Sequence, residues 1–259
     1  MRGIDVNCDM GESFGVYAMG RDREVMPHIT SANVACGWHA GDPSVMDRTV
    51  ALAVQSGVAV GAHPGYPDLL GFGRRKLDCS PEELTNYTVY QVGALQAFCH
   101  KHGTALQHVK PHGALYHAVL QKEEHGRAVA RAVLMVDPGL VLVTLAGPKG
   151  ESMSSICREM GLNVAREAFP DRGYNADGTL VPRGSRGSTI EDPQEVAARA
   201  HSLARDNSVR AATGETVEIE AHTVCVHGDT PTAVELVRGI GQKLKRDGLE
   251  LRPMAQLTN

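Results

Sequence analysis

Short apolar runs recur along the 259-residue chain, each followed by a polar loop rich in Gly or Pro and then by a stretch with helical spacing. Seven of these runs read as strands: Gly3–Val6, Ser31–Ala35, Ala59–Ala62, Ala105–Val109, Leu140–Leu145, Asn163–Glu167 and Thr223–Val226. Leu140–Leu145 is almost unbroken Leu and Val, as in a parallel strand covered on both faces. The helices are marked by their starts. Asp42-Pro43 sets a cap before a Pro at the first helical position, and Met46, Thr49, Val50 and Ala53 follow at helical spacing. Ser80-Pro81-Glu82-Glu83 opens a second helix in the same way. Thr230-Pro231 opens the last, with its stripe of Ala233, Val234, Leu236, Val237, Ile240 and Leu244. Val-rich flanks around Thr213-Gly214-Glu215 predict a small hairpin before the last strand. Strand–helix alternation means a parallel α/β fold, and this many units in this length predict one barrel domain over residues 1–259 with seven parallel β/α strands. An open doubly wound sheet is the alternative.

Composition narrows the function more than the fold. Net charge is −4 and 42% of residues are apolar, so no basic field points to nucleic acid. The longest apolar run, Leu140 to Ala146, is too short to span a bilayer, and the N-terminus lacks the three zones of a signal peptide. Six cysteines stand far apart with no C-x-x-C pair, which reads as free thiols in a reducing compartment and predicts a cytoplasmic protein.

The chemistry-bearing residues cluster just after the predicted strands. Asn7, Asp9 and Glu12 follow the first, His39 the second and His63 the third, which runs on to Arg74-Arg75. Lys110 and His112 follow the fourth, Arg172 the sixth, and His227 with Asp229 the seventh. The carboxyl-end rim is where α/β barrels assemble active sites, so these residues are expected at one mouth. Asp42 and Thr230 are more economically read as helix caps. Cys8 and Cys36 read as packing residues, and His100, His102, His108, His117, His125 and His201 as helix-surface or packing residues. No G-x-x-x-x-G-K-[ST], Rossmann fingerprint or G-x-S-x-G elbow is present. What remains is hydrolysis by acid–base residues, with or without a metal.

Asp5–Gly15, Ser31–Pro43, Gly61–Asp68, Val109–Tyr116, Glu167–Arg172 and Cys225–Pro231, in that order, closely resemble the LamB/YcsF family. Trp38 and His117 depart from the pattern, which has Phe and Asn there. The resemblance implies a seven-stranded β/α barrel related to carbohydrate deacetylases. It implies a 5-oxoprolinase activity that opens 5-oxo-L-proline to L-glutamate, with ATP as co-substrate of a complex with B and C subunits resembling allophanate-hydrolase components. In that role His63 or His112 would be the general base and Asp9 its orienting carboxylate. Lys110, Arg75 and Arg172 would hold substrate anions beside Asn7 and Glu12, and His227 with Asp229 would serve the departing nitrogen. His39 joins the same catalytic group. Two other readings stay open: a stand-alone metal-dependent amide hydrolase or deacetylase with Asp9, His63 and His112 as ligands, and a non-catalytic binder of small acids.

Overall fold

The computed structural model describes residues 3–226 and 232–258. Its elements in chain order are β1 (Gly3–Met10), α1 (Asp22–Val25), β2 (Ser31–Ala35), α2 (Pro43–Gln55), β3 (Ala59–His63) and α3 (Pro81–Lys101). Next come β4 (Leu106–Val109), α4 (Gly113–Gln121), α5 (Glu123–Val136), β5 (Val141–Leu145), α6 (Glu151–Glu159) and β6 (Asn163–Ala168). The chain ends with α7 (Pro193–Asp206), β7 (Ser208–Arg210), β8 (Thr216–Glu218), β9 (Thr223–Cys225), α8 (Ala233–Arg246) and β10 (Glu250–Leu251).

Strands β1 to β6 pair in sequence order, β6 pairs with β9, and β9 returns to β1, all parallel. The sheet therefore closes into a seven-stranded barrel, the arrangement the strand count predicts, and the open-sheet alternative is excluded. β10 is an addition that the pattern did not reveal: it pairs with Gly3 and Ile4 at the start of β1. The predicted hairpin is β7–β8, antiparallel and outside the barrel wall.

Local chemistry accounts for the helix starts. Asp42 accepts from the Ser44 and Val45 amides, and Ser80 makes a reciprocal capping box with Glu83, so two orphan donors are satisfied at each start. Helix α2 buries Val45, Met46, Thr49, Val50 and Ala53, and α8 buries the stripe read from sequence. The Thr230-Pro231 start of α8 lies outside the described residues. Among the described residues no helix is long and apolar enough to cross a membrane.

The first strand differs from its predicted span in a way that shapes the site. It runs four residues past Val6, to Met10. Polar Asn7 and Asp9 hid this continuation, yet both stay in the ladder, paired with Ser31 and Asn33 of β2. Strand side chains alternate, so Asp5, Asn7 and Asp9 share one face, the barrel interior, where all the partners of Asn7 also lie.

Candidate active site

On the side of β1, β2 and β4 the barrel interior is polar, and Asp5, Asn7 and His108 each meet a partner from another segment of the chain. Asp5 accepts from Thr30, Ser31 and Thr223. Burial pushes its carboxyl up to about 6 against the pull of those hydroxyls. Asn7 donates to Glu167 (3.1 Å) and Thr223 (2.6 Å) and accepts from Asn33 (2.7 Å). His108 contacts Asn33 Oδ1 through Nε2 at 2.7 Å, and burial drives its imidazole down to about 3. His108 thus sits on β4 inside the barrel, packed against Gly61, which corrects the helix-surface alternative and bears out the packing one, with a hydrogen bond added.

Above this layer Lys110 places Nζ 2.8 Å from Glu167 Oε1 and 3.0 Å from Asp9 Oδ1, with Cys225 Sγ at 3.1 Å. Burial works against its charge, but Asp9, Cys225 and Glu167 outweigh it and hold the ammonium well above its usual range. Tyr116 donates to the second oxygen of Glu167. Asp9 also accepts from Asn33.

The histidines meet beside Asp9. His63 ends β3 and His112 precedes α4, and their rings stand perpendicular with His63 Nε2 3.0 Å from His112 Nδ1. The outer nitrogens face main-chain carbonyls: His63 Nδ1 the Lys110 oxygen at 2.7 Å, His112 Nε2 the Phe72 oxygen at 2.8 Å. Carbonyl oxygens only accept, so both outer nitrogens carry hydrogen. In the neutral rings the two inner lone pairs then point at each other, a contact that only a cation between them, proton or metal, makes favourable. Asp9 Oδ2 lies 3.3 Å from His63 Nε2 and supplies negative charge there. His39 stacks on His112, with centroids 3.7 Å apart and planes within 5°. Both its ring nitrogens are buried with no hydrogen-bond partner among the described residues, and Glu12 Oε1 lies 3.9 Å from Nε2. Burial, then His112 and His63, hold the His39 imidazole well below its usual range, and burial, then His63, bring His112 to about 3.

Glu12, His39, His63 and His112 each offer a ligand atom within 4.8 Å of the others. The facing lone pairs and the orphaned His39 nitrogens fit a divalent ion, since imidazole nitrogens bind one at roughly 2.0–2.1 Å. The group differs from the ligand set read from sequence: Glu12 and His39 join, and Asp9 stands beside it next to Lys110.

A cleft of about 690 Å³ opens beside this cluster and reaches it at His63 and His112, with buried Asp9, Lys110 and Glu167 also in its lining. The structure thus brings Asn7, Asp9, Glu12, His39, His63, Lys110 and His112 together. Arg172 lines the cleft too, but donates to the Ser188 and Val181 carbonyls. Arg75 is turned to Asp68, whereas its neighbour Arg74 lines the cleft. His227 and Asp229 lie outside the described residues. Sequence reading passed over Asn33, Glu167 and Thr223. For Asn33 and Thr223 the signal was a polar residue inside an otherwise apolar strand, which marks an inward position with a partner; Glu167 stands in a strand that also holds Asn163 and Arg166.

Fold and site define a β/α barrel whose carboxyl-end mouth holds an imidazole–carboxylate centre competent for acid–base work and cation binding. The chain belongs to the LamB/YcsF family, whose model matches residues 4–259. It is 55% identical over 251 residues to a Pyrococcus furiosus protein named as the A subunit of 5-oxoprolinase, covering 97% of each chain. A protein of Syntrophobacter fumaroxidans with the same name is 52% identical over 254 residues, covering 96% of this chain and 98% of the relative. The crystal structure of a lactam utilization protein from Thermus thermophilus superposes with a TM-score of 0.92 at 47% identity, covering 96% of this chain and 99% of that one.

Proposed function

We propose that the chain is the ring-opening subunit of an ATP-dependent 5-oxoprolinase. The observation that carries this reading is the tautomer-locked His63–His112 pair beside Asp9 at the floor of a cleft. Relatives named as the A subunit of 5-oxoprolinase, together with a structural neighbour named for lactam utilization, support the substrate class.

A five-membered lactam resists water because its amide is resonance-stabilised and the open chain recloses readily. Transfer of a phosphoryl group from ATP to the lactam oxygen, with loss of the ring N–H proton, leaves a C=N bond open to attack. Water adds to that carbon and gives up a proton to a base. A proton delivered to nitrogen lets the C–N bond break, leaving an acyl phosphate. A second water releases inorganic phosphate and glutamate. The partner B and C subunits carry the phosphoryl transfer in this reading, and this chain carries the additions of water.

The sequence-based choice of base was His63 or His112. Their inner lone pairs face each other, an arrangement suited to gripping a cation, and Asp9 is then the base at the cleft floor. Lys110 and Asn33 hold its Oδ1, which leaves Oδ2 turned toward His63 and the cleft side of the pair. A divalent ion held by Glu12, His39, His63 and His112 would supply Lewis-acid polarisation of the bond under attack. His227 and Asp229, by sequence position alone, serve the departing nitrogen.

The second reading, a metal-dependent amide hydrolase that acts alone, is favoured by the same four-residue cluster. One experiment separates the two. Glutamate and ADP release are measured for the chain alone, for the B–C pair and for the complete mixture, with bound metal quantified in each. The chain alone is expected to do neither reaction, and glutamate is expected only in the complete mixture. ATP-independent turnover by the metal-loaded chain alone would establish the second reading instead.

A further inference from the structure

Helix α3 buries a stripe of Leu84, Thr88, Val92 and Leu95, and in it stands a fully buried amide, Gln91. A primary amide is costly in such a place unless its hydrogen bonds are made. Gln91 makes all of them locally. Its Oε1 accepts from the Gly65 amide at 2.9 Å, and its Nε2 donates to the Gly65 carbonyl at 2.9 Å and to that of Tyr87 at 3.0 Å. An N–H on one side and two carbonyls on the other fix which end of the amide is oxygen. The side chain therefore grips both polar groups of one loop residue, as a neighbouring strand would.

That residue adjoins all three imidazoles of the candidate cation centre. Gly65 follows His63, the last residue of β3, by two positions. The carbonyl of Pro64, between them, accepts from the His112 amide at 2.8 Å. A Cβ on Gly65 would lie 2.6 Å from His39 Nδ1 and 3.0 Å from His39 Cβ and Cγ. Gly65 lies outside the left-handed region, so glycine is required here for space and not for conformation. No hydrogen bond among the described residues orients the His39 ring. Its place is set by what packs on it, and that is the His112 ring and the Gly65 backbone.

We infer that Gln91 is a positioning residue for the cation centre: by clamping Gly65 it holds the short segment that seats His39, continues from His63 and receives the His112 amide. The inference rests on the reading of Glu12, His39, His63 and His112 as ligands of a divalent ion. Gln91 touches none of these side chains and acts through the loop. Thr88, one turn earlier on the same stripe, supplies the comparison, since its hydroxyl donates at 2.8 Å to the Leu84 carbonyl of its own helix and holds no loop.

The purified full chain, stripped with a chelator, is titrated calorimetrically with Co²⁺ alone, and the visible absorption of the loaded protein reports the ligand geometry. Circular dichroism and thermal melts establish which variants are folded. Saturable Co²⁺ uptake is expected for the wild type. Gln91→Met, which keeps the length and removes the clamp, is expected to weaken it about tenfold and to change the absorption, the scale of effect known for groups that orient metal ligands from behind. Gln91→Asn, whose amide is one methylene short of Gly65, is expected to act in the same direction. Gly65→Ala leaves Gln91 in place and drives a methyl group against His39, and it is expected to weaken Co²⁺ as well. Thr88→Val is expected to lower the melting temperature while affinity and absorption stay at the wild-type values. Wild-type affinity in a folded Gln91 variant or in Gly65→Ala would overturn the positioning role. So would an equal loss in Thr88→Val, because affinity would then follow stability alone. A wild-type chain that takes up no Co²⁺ would remove the cation centre and this inference with it. The ring-opening reading is untouched by any of these results, since the titration contains no lactam.

Discussion

At the scale of single residues, burial decides which protonation states the barrel interior tolerates. His108 stays neutral in the folded chain down to about 3, whereas an unfolded imidazole takes up its proton near 6.5. Below pH 6.5 the unfolded chain binds more protons at this position, so stability is full above that pH and falls as pH drops toward 3. Asp5 works the other way: its carboxyl, raised to about 6 from 3.8, makes the folded chain take up a proton first, which favours folding as pH falls through that window. Between pH 7 and 5 the wild type is expected to lose about 2 kcal/mol more stability than His108→Gln, from the imidazole linkage alone. Urea midpoints of both proteins at the two pH values measure this. Parallel losses would mean that His108 titrates normally. Neither residue's interior position was readable one residue at a time, because His108 and Asp5 are ordinary polar letters until the face they point to is known.

At the scale of elements, the loops after the strands carry strain that serves the histidines. Phe72 has φ 53°, a left-handed conformation uncommon for a non-glycine residue, and its carbonyl is the one that meets His112. Gly73 follows with φ 63°, and a Cβ there would lie 2.7 Å from His39 Cβ and 2.8 Å from His112 Cδ2. Gly15, in the loop after β1, has φ 55° but open space around its missing Cβ. Gly73→Ala is therefore expected to disturb the stacked imidazoles and abolish glutamate formation, while Gly15→Ala costs about 1 kcal/mol of backbone strain and leaves turnover intact. Ser80→Ala makes a third comparison, losing about 1 kcal/mol with its capping box and nothing at the site. Thermal melts and turnover of the three variants check this, and an active Gly73→Ala would show that the His39–His112 contact is dispensable. The caps were plain in the sequence because capping is a contact across three residues. The Phe72 carbonyl was not, because its partner lies forty residues away.

At the scale of the entire barrel, closure is tied by a buried ion-pair layer. Lys110 after β4 meets Asp9 of β1 and Glu167 of β6, and Asn7 reaches Glu167 and Thr223 across the same interior. Removing one partner of a buried pair leaves the other charge uncompensated, so Lys110→Met or Glu167→Gln alone is expected to cost about 3–5 kcal/mol. The double variant is expected to cost less than the sum of the two, with a coupling of at least about 1 kcal/mol. Chemical denaturation of the four proteins gives the cycle, and additive losses would show that the pair does not act as a unit. Because Asp9 keeps its contact with Asn33, the double variant also tests whether Lys110 orients the carboxylate or only balances it.

The seven barrel strands, the two capped helix starts and the hairpin were all legible in the order of residues alone. Each depends on contacts or periodicities within a few positions, where side-chain alternation and capping geometry act directly. The family was legible too, because long ordered motifs are specific without any coordinates. Folding in three dimensions was needed to carry β1 on through Asn7 and Asp9, and to bring Arg74 rather than Arg75 to the cleft. It also turned the lone pairs of His63 and His112 onto each other. The reason is physical: the state of a buried polar group is fixed by the partner it meets. Barrel closure brings together partners such as Asn7 and Thr223, 216 residues apart in the chain.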